Sequence, residues 1–281
     1  MKIFFSLLML SFFPFFVRAK APVYYGSTPP HLAVREFLHI SLTDSIDFIK
    51  WKLEISSNVY KLSCRYGLSR PSTNGFINEK EVSFSGRLTR DGQYYHLHRE
   101  GKTFHILELN SNLLHLLDKS KRLLVGNGGY SYTLNSDSPI KSGQFSIPAK
   151  QATQHSAIAF EGRTPCQELS TLLHLSKSRE CDKLKWYIIF FSDSVTGKPL
   201  HYLKGGTAYR QETMVKGKWE IEKSANGKII YKLDPEKQSA ATHLLKADDN
   251  ILLFTDPEGN LLVGNKDFSY TLNRTKIKNR W

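Results

Sequence analysis

The chain has 281 residues, 40% of them apolar and 23% charged, with a formal net charge of +13. That length fits one or two domains. The basic residues are spread along the chain with no helical basic stripe and no recognition motif, which excludes a nucleic-acid partner and leaves a basic surface suited to anionic envelope or cell-surface material.

In chain order, the first element is a leader. Lys2 precedes an apolar run from Ile3 to Val17, and Ala19-Lys20-Ala21 offers small residues for cleavage. This is the secretory signal pattern, and it predicts a signal peptide over residues 1–21. The run is short for a bilayer span and is broken by Pro14, which favours cleavage over anchoring. No cysteine stands near the cleavage site to take a lipid, and no other segment is apolar enough to span a membrane. The mature protein is expected to be periplasmic or secreted.

Beyond the leader the signal is mainly strand. A short helix is expected after Thr28-Pro29, and another after Pro165-Cys166. Trp51 to Ile55 and Glu81 to Gly86 alternate apolar and polar residues, as half-buried strands do. Arg90-Asp91-Gly92-Gln93 is a hairpin turn. A polar stretch over residues 139–155 reads as a linker. After it come the β-branched and aromatic run Trp186 to Phe191 and the alternating segment Gly217 to Glu222. The latter turns at Ala225-Asn226-Gly227-Lys228 into Ile229 to Leu233. Ile251 to Phe254 and Leu261 to Val263 flank Asp256 to Asn260 as a further predicted hairpin.

Two blocks of this chain occur twice. Leu123-Leu124-Val125-Gly126-Asn127 returns as Leu261-Leu262-Val263-Gly264-Asn265. Tyr130-Ser131-Tyr132-Thr133-Leu134-Asn135 returns as Phe268-Ser269-Tyr270-Thr271-Leu272-Asn273, at the same offset of 138 residues. Upstream, Gly26-Ser27-Thr28-Pro29 matches Gly162-Arg163-Thr164-Pro165, and Lys50-Trp51 matches Lys185-Trp186. Gly86-Arg87-Leu88 can be laid on Gly217-Lys218-Trp219, and Tyr95-His96-Leu97 on Tyr231-Lys232-Leu233. A repeat of this length is a whole domain rather than a solenoid unit. The chain is therefore read as two copies of one all-β domain, over residues 22–138 and 156–281, each with six to eight short antiparallel strands.

Cys166 and Cys181 both lie in the second copy, and the first copy has no cysteine at the matching places. Export permits a disulfide, and a Cys166–Cys181 bridge is expected, with a metal–thiolate pair as the alternative. Cys64 is left as a buried, inert thiol.

The opening of the second copy, Phe160-Glu161-Gly162-Arg163-Thr164-Pro165-Cys166, followed by Leu172-Leu173-His174-Leu175, resembles the start of the N-terminal domain of the NlpE family. The later Gly217-Lys218-Trp219, the hairpin and the closing Leu261 to Asn273 block fall in a similar order. The resemblance covers most of residues 158–273 and extends through the repeat to residues 24–135. It implies a small lipocalin-like β-barrel for each copy, hence two tandem barrels, and a role in copper homeostasis and envelope sensing. Cys166 is followed by Gln167, Glu168 and Leu169, so the Cys-x-x-Cys of that family is not present, and neither is its lipid-anchoring cysteine.

The chemistry is sparse. His96-x-His98 would point to one face of a strand, with His105 close behind, and imidazoles suit copper or zinc. With Cys166, these two residues are the candidate metal ligands, although no carboxylate or thiol completes the set by spacing. No cofactor is expected, and copper is the ion the resemblance would allow. His39 and His174 match between copies and read as structural. Ser131 and Ser269 lie in no nucleophile elbow and read as strand residues, while Asp118 and Asp256 read as turn residues. The expectation is a non-enzymatic envelope protein that binds a small ligand in a barrel lumen or meets an envelope partner. The alternative is a structural or adhesive protein with filled barrels, and the interior volume separates the two readings.

Overall fold

The computed structural model describes residues 21–140, 147, 155–173, 181–205, 214–224 and 227–277. The leader, most of the linker, His174 and the tip residues Ala225-Asn226 lie outside these. The described chain forms two closed or nearly closed antiparallel β-barrels. No helix among the described residues is long and apolar enough to cross a membrane.

Barrel 1 is a closed meander of β1 (Val23–Thr28), β2 (Phe48–Ile55), β3 (Val59–Ser69), β4 (Phe76–Asp91), β5 (Tyr94–Arg99), β6 (Lys102–Asn110), β7 (Leu113–Leu116) and β8 (Thr133–Ser136). It closes where Tyr24 and Tyr25 of β1 pair with Ser136 and Asn135 of β8. Alternation decides which side chains go in. On β3, Tyr60, Leu62 and Cys64 are buried while Lys61 and Arg65 are exposed. The interior is filled by Trp51, Leu53, Leu62, Leu97, Ile106, Leu114, Leu116 and Leu134, each almost wholly shielded from solvent. The helix α1 (Leu32–Leu38) adds Val34, Phe37 and Leu38 to this core, and Phe37 stacks on Phe104 with centroids 5.0 Å apart.

Barrel 2 is built from β9 (Ala157–Pro165), β10 (Lys183–Ser192), β11 (Pro199–Gly205), β12 (Val215–Gly217), β13 (Trp219–Lys223), β14 (Ile229–Leu233), β15 (Thr242–Lys246), β16 (Ile251–Thr255) and β17 (Thr271–Thr275). Its order is that of barrel 1, with β12 and β13 standing for β4 as one strand interrupted at Lys218. They lie at the two ends of a 9-stranded sheet that curls back on itself.

The internal repeat is visible in the packing. Gly26 pairs with Trp51 and Gly162 with Trp186. Each indole N–H donates to a threonine hydroxyl two residues beyond that glycine, Trp51 to Thr28 at 2.8 Å and Trp186 to Thr164 at 2.9 Å. Gly86 and Gly217 each lie under a tyrosine ring, Tyr60 and Tyr202, where a Cβ would come within 2.6 Å and 2.5 Å of ring atoms or the phenol oxygen. The short helix expected in each copy is present, the second as α2 (Gln167–Leu172). The Cys166–Cys181 disulfide ties its start to the entry of β10, with Cα atoms 5.8 Å apart.

Two expected strands differ. Leu261 to Val263 makes only an isolated bridge, Thr255 to Leu261, mirrored by Leu117 to Leu123 in barrel 1. Tyr130 to Tyr132 is not part of a strand, although the Tyr132 carbonyl accepts from the Leu116 amide at 3.0 Å, and the strand begins at Thr133. The glycines within these blocks, Gly126 and Gly264, turn their amides to the other barrel instead.

Candidate functional site

The repeated blocks meet each other. Ser131 and Ser269 have hydroxyl oxygens 2.6 Å apart, and Thr271 donates to the hydroxyl of Thr133 at 2.9 Å. Asn135 accepts from the Gly264 amide at 2.8 Å, and Asn273 accepts from the Gly126 amide at 2.7 Å. The Asn135 amide also donates to the carbonyls of Asn265 and Phe268. The rings of Tyr130 and Phe268 lie parallel, 2° apart. Ser131, Thr133 and Tyr130 thus face their own counterparts, and the asparagine–glycine contacts are made reciprocally, which is the pattern of an isologous two-fold contact, made here within one chain.

Glycine is required at this contact. A Cβ on Gly126 would fall 2.2 Å from the Tyr130 carbonyl, and one on Gly264 2.1 Å from that of Phe268. Beside the polar seam lies a shared apolar cluster. Leu107, Leu109, Leu113 and Leu117 from barrel 1 pack with Leu245, Ala247, Ile251, Leu253, Leu261 and Val263 from barrel 2. Lys50 and Asp267 form an ion pair across the edge at 2.6 Å.

One titratable group is buried in the seam. His115 donates from Nε2 to the Leu124 carbonyl at 3.0 Å, so its Nδ1 accepts from the Thr133 hydroxyl at 2.9 Å. Burial pushes its pKa down to about 4, and the carbonyl contact opposes this only in part. The ring is therefore neutral at neutral pH, and it ends a hydroxyl chain running Ser269, Thr271, Thr133 across the two barrels.

The candidate metal ligands are separated. Cys166 is bonded to Cys181, so its sulfur is not a thiolate ligand. His96 and His98 do share the outer face of β5, as alternation requires. His98, however, has both ring nitrogens engaged, by Thr89 at 2.8 Å and Thr103 at 3.0 Å. His96 instead meets His105 on the neighbouring strand, with Nδ1 atoms 2.7 Å apart. Among the described residues no group of three or more His, Cys, Asp or Glu side chains gathers as a metal site.

The remaining candidates are structural. His39 is not in the core but is the left-handed cap of α1, exposed and 3.4 Å from Glu100. Asp118 and Asp256 accept from backbone amides within their own turns. Cys64 is fully buried, and burial pushes its thiol well above the ordinary range.

Among the clefts of the described residues, two adjoin these groups. One, of about 280 Å³, runs between α1 and the ends of β6 and β7, lined by Glu36, Phe37, Lys102, His105 and Lys119 among others. The other, of about 360 Å³, lies at the seam, with Leu107, Leu117 and Leu123 on its floor and Lys121 and Arg122 at its rim.

Fold and seam together define the class: a tandem β-barrel protein whose two copies are docked through their repeated blocks. Compared with family models, with curated proteins and with solved structures, the chain gives no match.

Proposed function

We propose that this chain is a non-enzymatic envelope protein whose docked barrels form a scaffold for binding or sensing on their outer faces. The leader-like start and the disulfide support a place outside the cytoplasm. The resemblance to NlpE supports a part in copper or envelope homeostasis. The observation that carries the reading is the interior of barrel 1. It is filled with aliphatic and aromatic side chains, so recognition falls to the outer surface, where the imidazoles of β5 and β6 lie. The same packing favours a second reading, a structural or adhesive envelope protein with no ligand.

Deleting the gene in its host and challenging the cells with copper or with envelope-damaging detergent separates the two. Lowered survival under challenge, restored by the full-length gene, is expected. Unchanged survival under both challenges would contradict the sensing role and leave the structural reading.

A further inference from the structure

His96 and His105 stand directly opposite each other on β5 and β6. Their neighbours along each strand, Tyr95 and Leu97 on one and Phe104 and Ile106 on the other, are buried in barrel 1. The two imidazoles therefore project from the outer face, on backbones held by a closed ladder. The rings are perpendicular, 89° apart, and present Nδ1 to Nδ1 at 2.7 Å.

Such a pair has two states available. One nitrogen can donate its proton to the other, or both can turn their lone pairs to a common ion. A first-row metal bonds imidazole nitrogen at about 2.0–2.1 Å, which places neighbouring donor nitrogens roughly 3 Å apart. The observed spacing is within a small ring rotation of that.

We propose that His96 and His105 chelate a late first-row divalent metal ion through their Nδ1 atoms, on the outer face of barrel 1. Several observations bear on the site. In the metal-free chain one Nδ1 donates to the other, and metal binding moves that proton to Nε2 of the same ring, so that both Nδ1 lone pairs face the ion. His98 is held by its two threonines and is not a donor. Lys232 and His243 occupy the same cross-strand register in barrel 2, so the pair belongs to one copy alone. Two protein donors leave the remaining coordination positions to water or to a partner. A closed structural site has four protein ligands, and this one is instead open and exchangeable.

Cu²⁺ is the probe, because imidazole sites hold it most tightly among the first-row divalent ions. Titration of the mature chain near neutral pH should give one ion per chain, with an electron paramagnetic resonance spectrum split by two nitrogens. His96→Asn and His105→Asn should each weaken binding roughly a hundredfold, the loss of an intramolecular second donor. His98→Asn should leave it unchanged. Binding that survives both single substitutions, or one-nitrogen splitting in the unsubstituted chain, would overturn the site. Imidazole nitrogen resonances of the unsubstituted chain under added Zn²⁺ make the test independent of whether the variants fold. Shifts confined to His96 and His105 support the proposal, and shifts elsewhere or none overturn it. The ion is read in solution and the envelope role in living cells, so either claim can fail without the other.

Discussion

Asn135 and Asn273 each take the backbone amide of a glycine in the opposite barrel. His115 is the residue beside them with the clearest consequence in solution. In the folded chain its pKa is held down to about 4, against 6.5 for a free imidazole. Between those values the unfolded chain takes up a proton that the folded chain refuses, so stability falls as pH falls through that window. The whole loss is about 3 kcal/mol, and below the folded value this source adds nothing more. Urea denaturation at a series of pH values checks it. His115→Gln, which keeps an acceptor and a donor but cannot be protonated there, should show a flatter dependence than the unsubstituted chain. Parallel curves would mean that His115 is not the group responsible.

Most of the elements were legible, because each follows from a local rule. Alternation in Trp51 to Ile55 and Glu81 to Gly86 marks strands β2 and β4, and the Asp91-Gly92 turn joins β4 to β5. The cysteines present together in one copy are bonded. That bond closes a separation of 15 residues between α2 and β10, and Cys166→Ser with Cys181→Ser should cost about 3 kcal/mol in urea denaturation. Thiol titration should find one free thiol, Cys64, and only after unfolding; two or three would contradict the bridge. What local rules could not give was the outer face of the closing blocks. Ser131, Thr133 and Asn135 alternate with Tyr132 and Leu134, and that pattern is the same for a face turned to water as for one turned to a second barrel. The available hint was that this polar face is spelled identically in both copies, down to Gly126 and Gly264. His105 was legible only as a neighbour of His96-x-His98 in sequence. The register that sets it opposite His96, and leaves His98 to threonines, is a long-range property of the sheet.

At the scale of the molecule, the repeat records how two barrels are held together. The contacts are reciprocal: what Asn135 does for Gly264, Asn273 does for Gly126, as in an isologous interface. Copy-specific chemistry lies on the disulfide of barrel 2, on the imidazole pair of barrel 1 and on His115, which has Leu253 at its matching position. The most direct test of the seam reads one barrel after changing the other. Asn135→Ala removes the acceptor for the Gly264 amide and should cost about 2 kcal/mol, the usual penalty for leaving a shielded amide unpaired. Amide hydrogen exchange followed by NMR should show Gly264 protected in the unsubstituted chain and exchanging faster in Asn135→Ala, while the ladder amides of β2 and β3 keep their protection. A Gly264 amide that exchanges like an open loop in the unsubstituted chain, or one indifferent to Asn135, would contradict the docking of the two barrels through their repeated blocks.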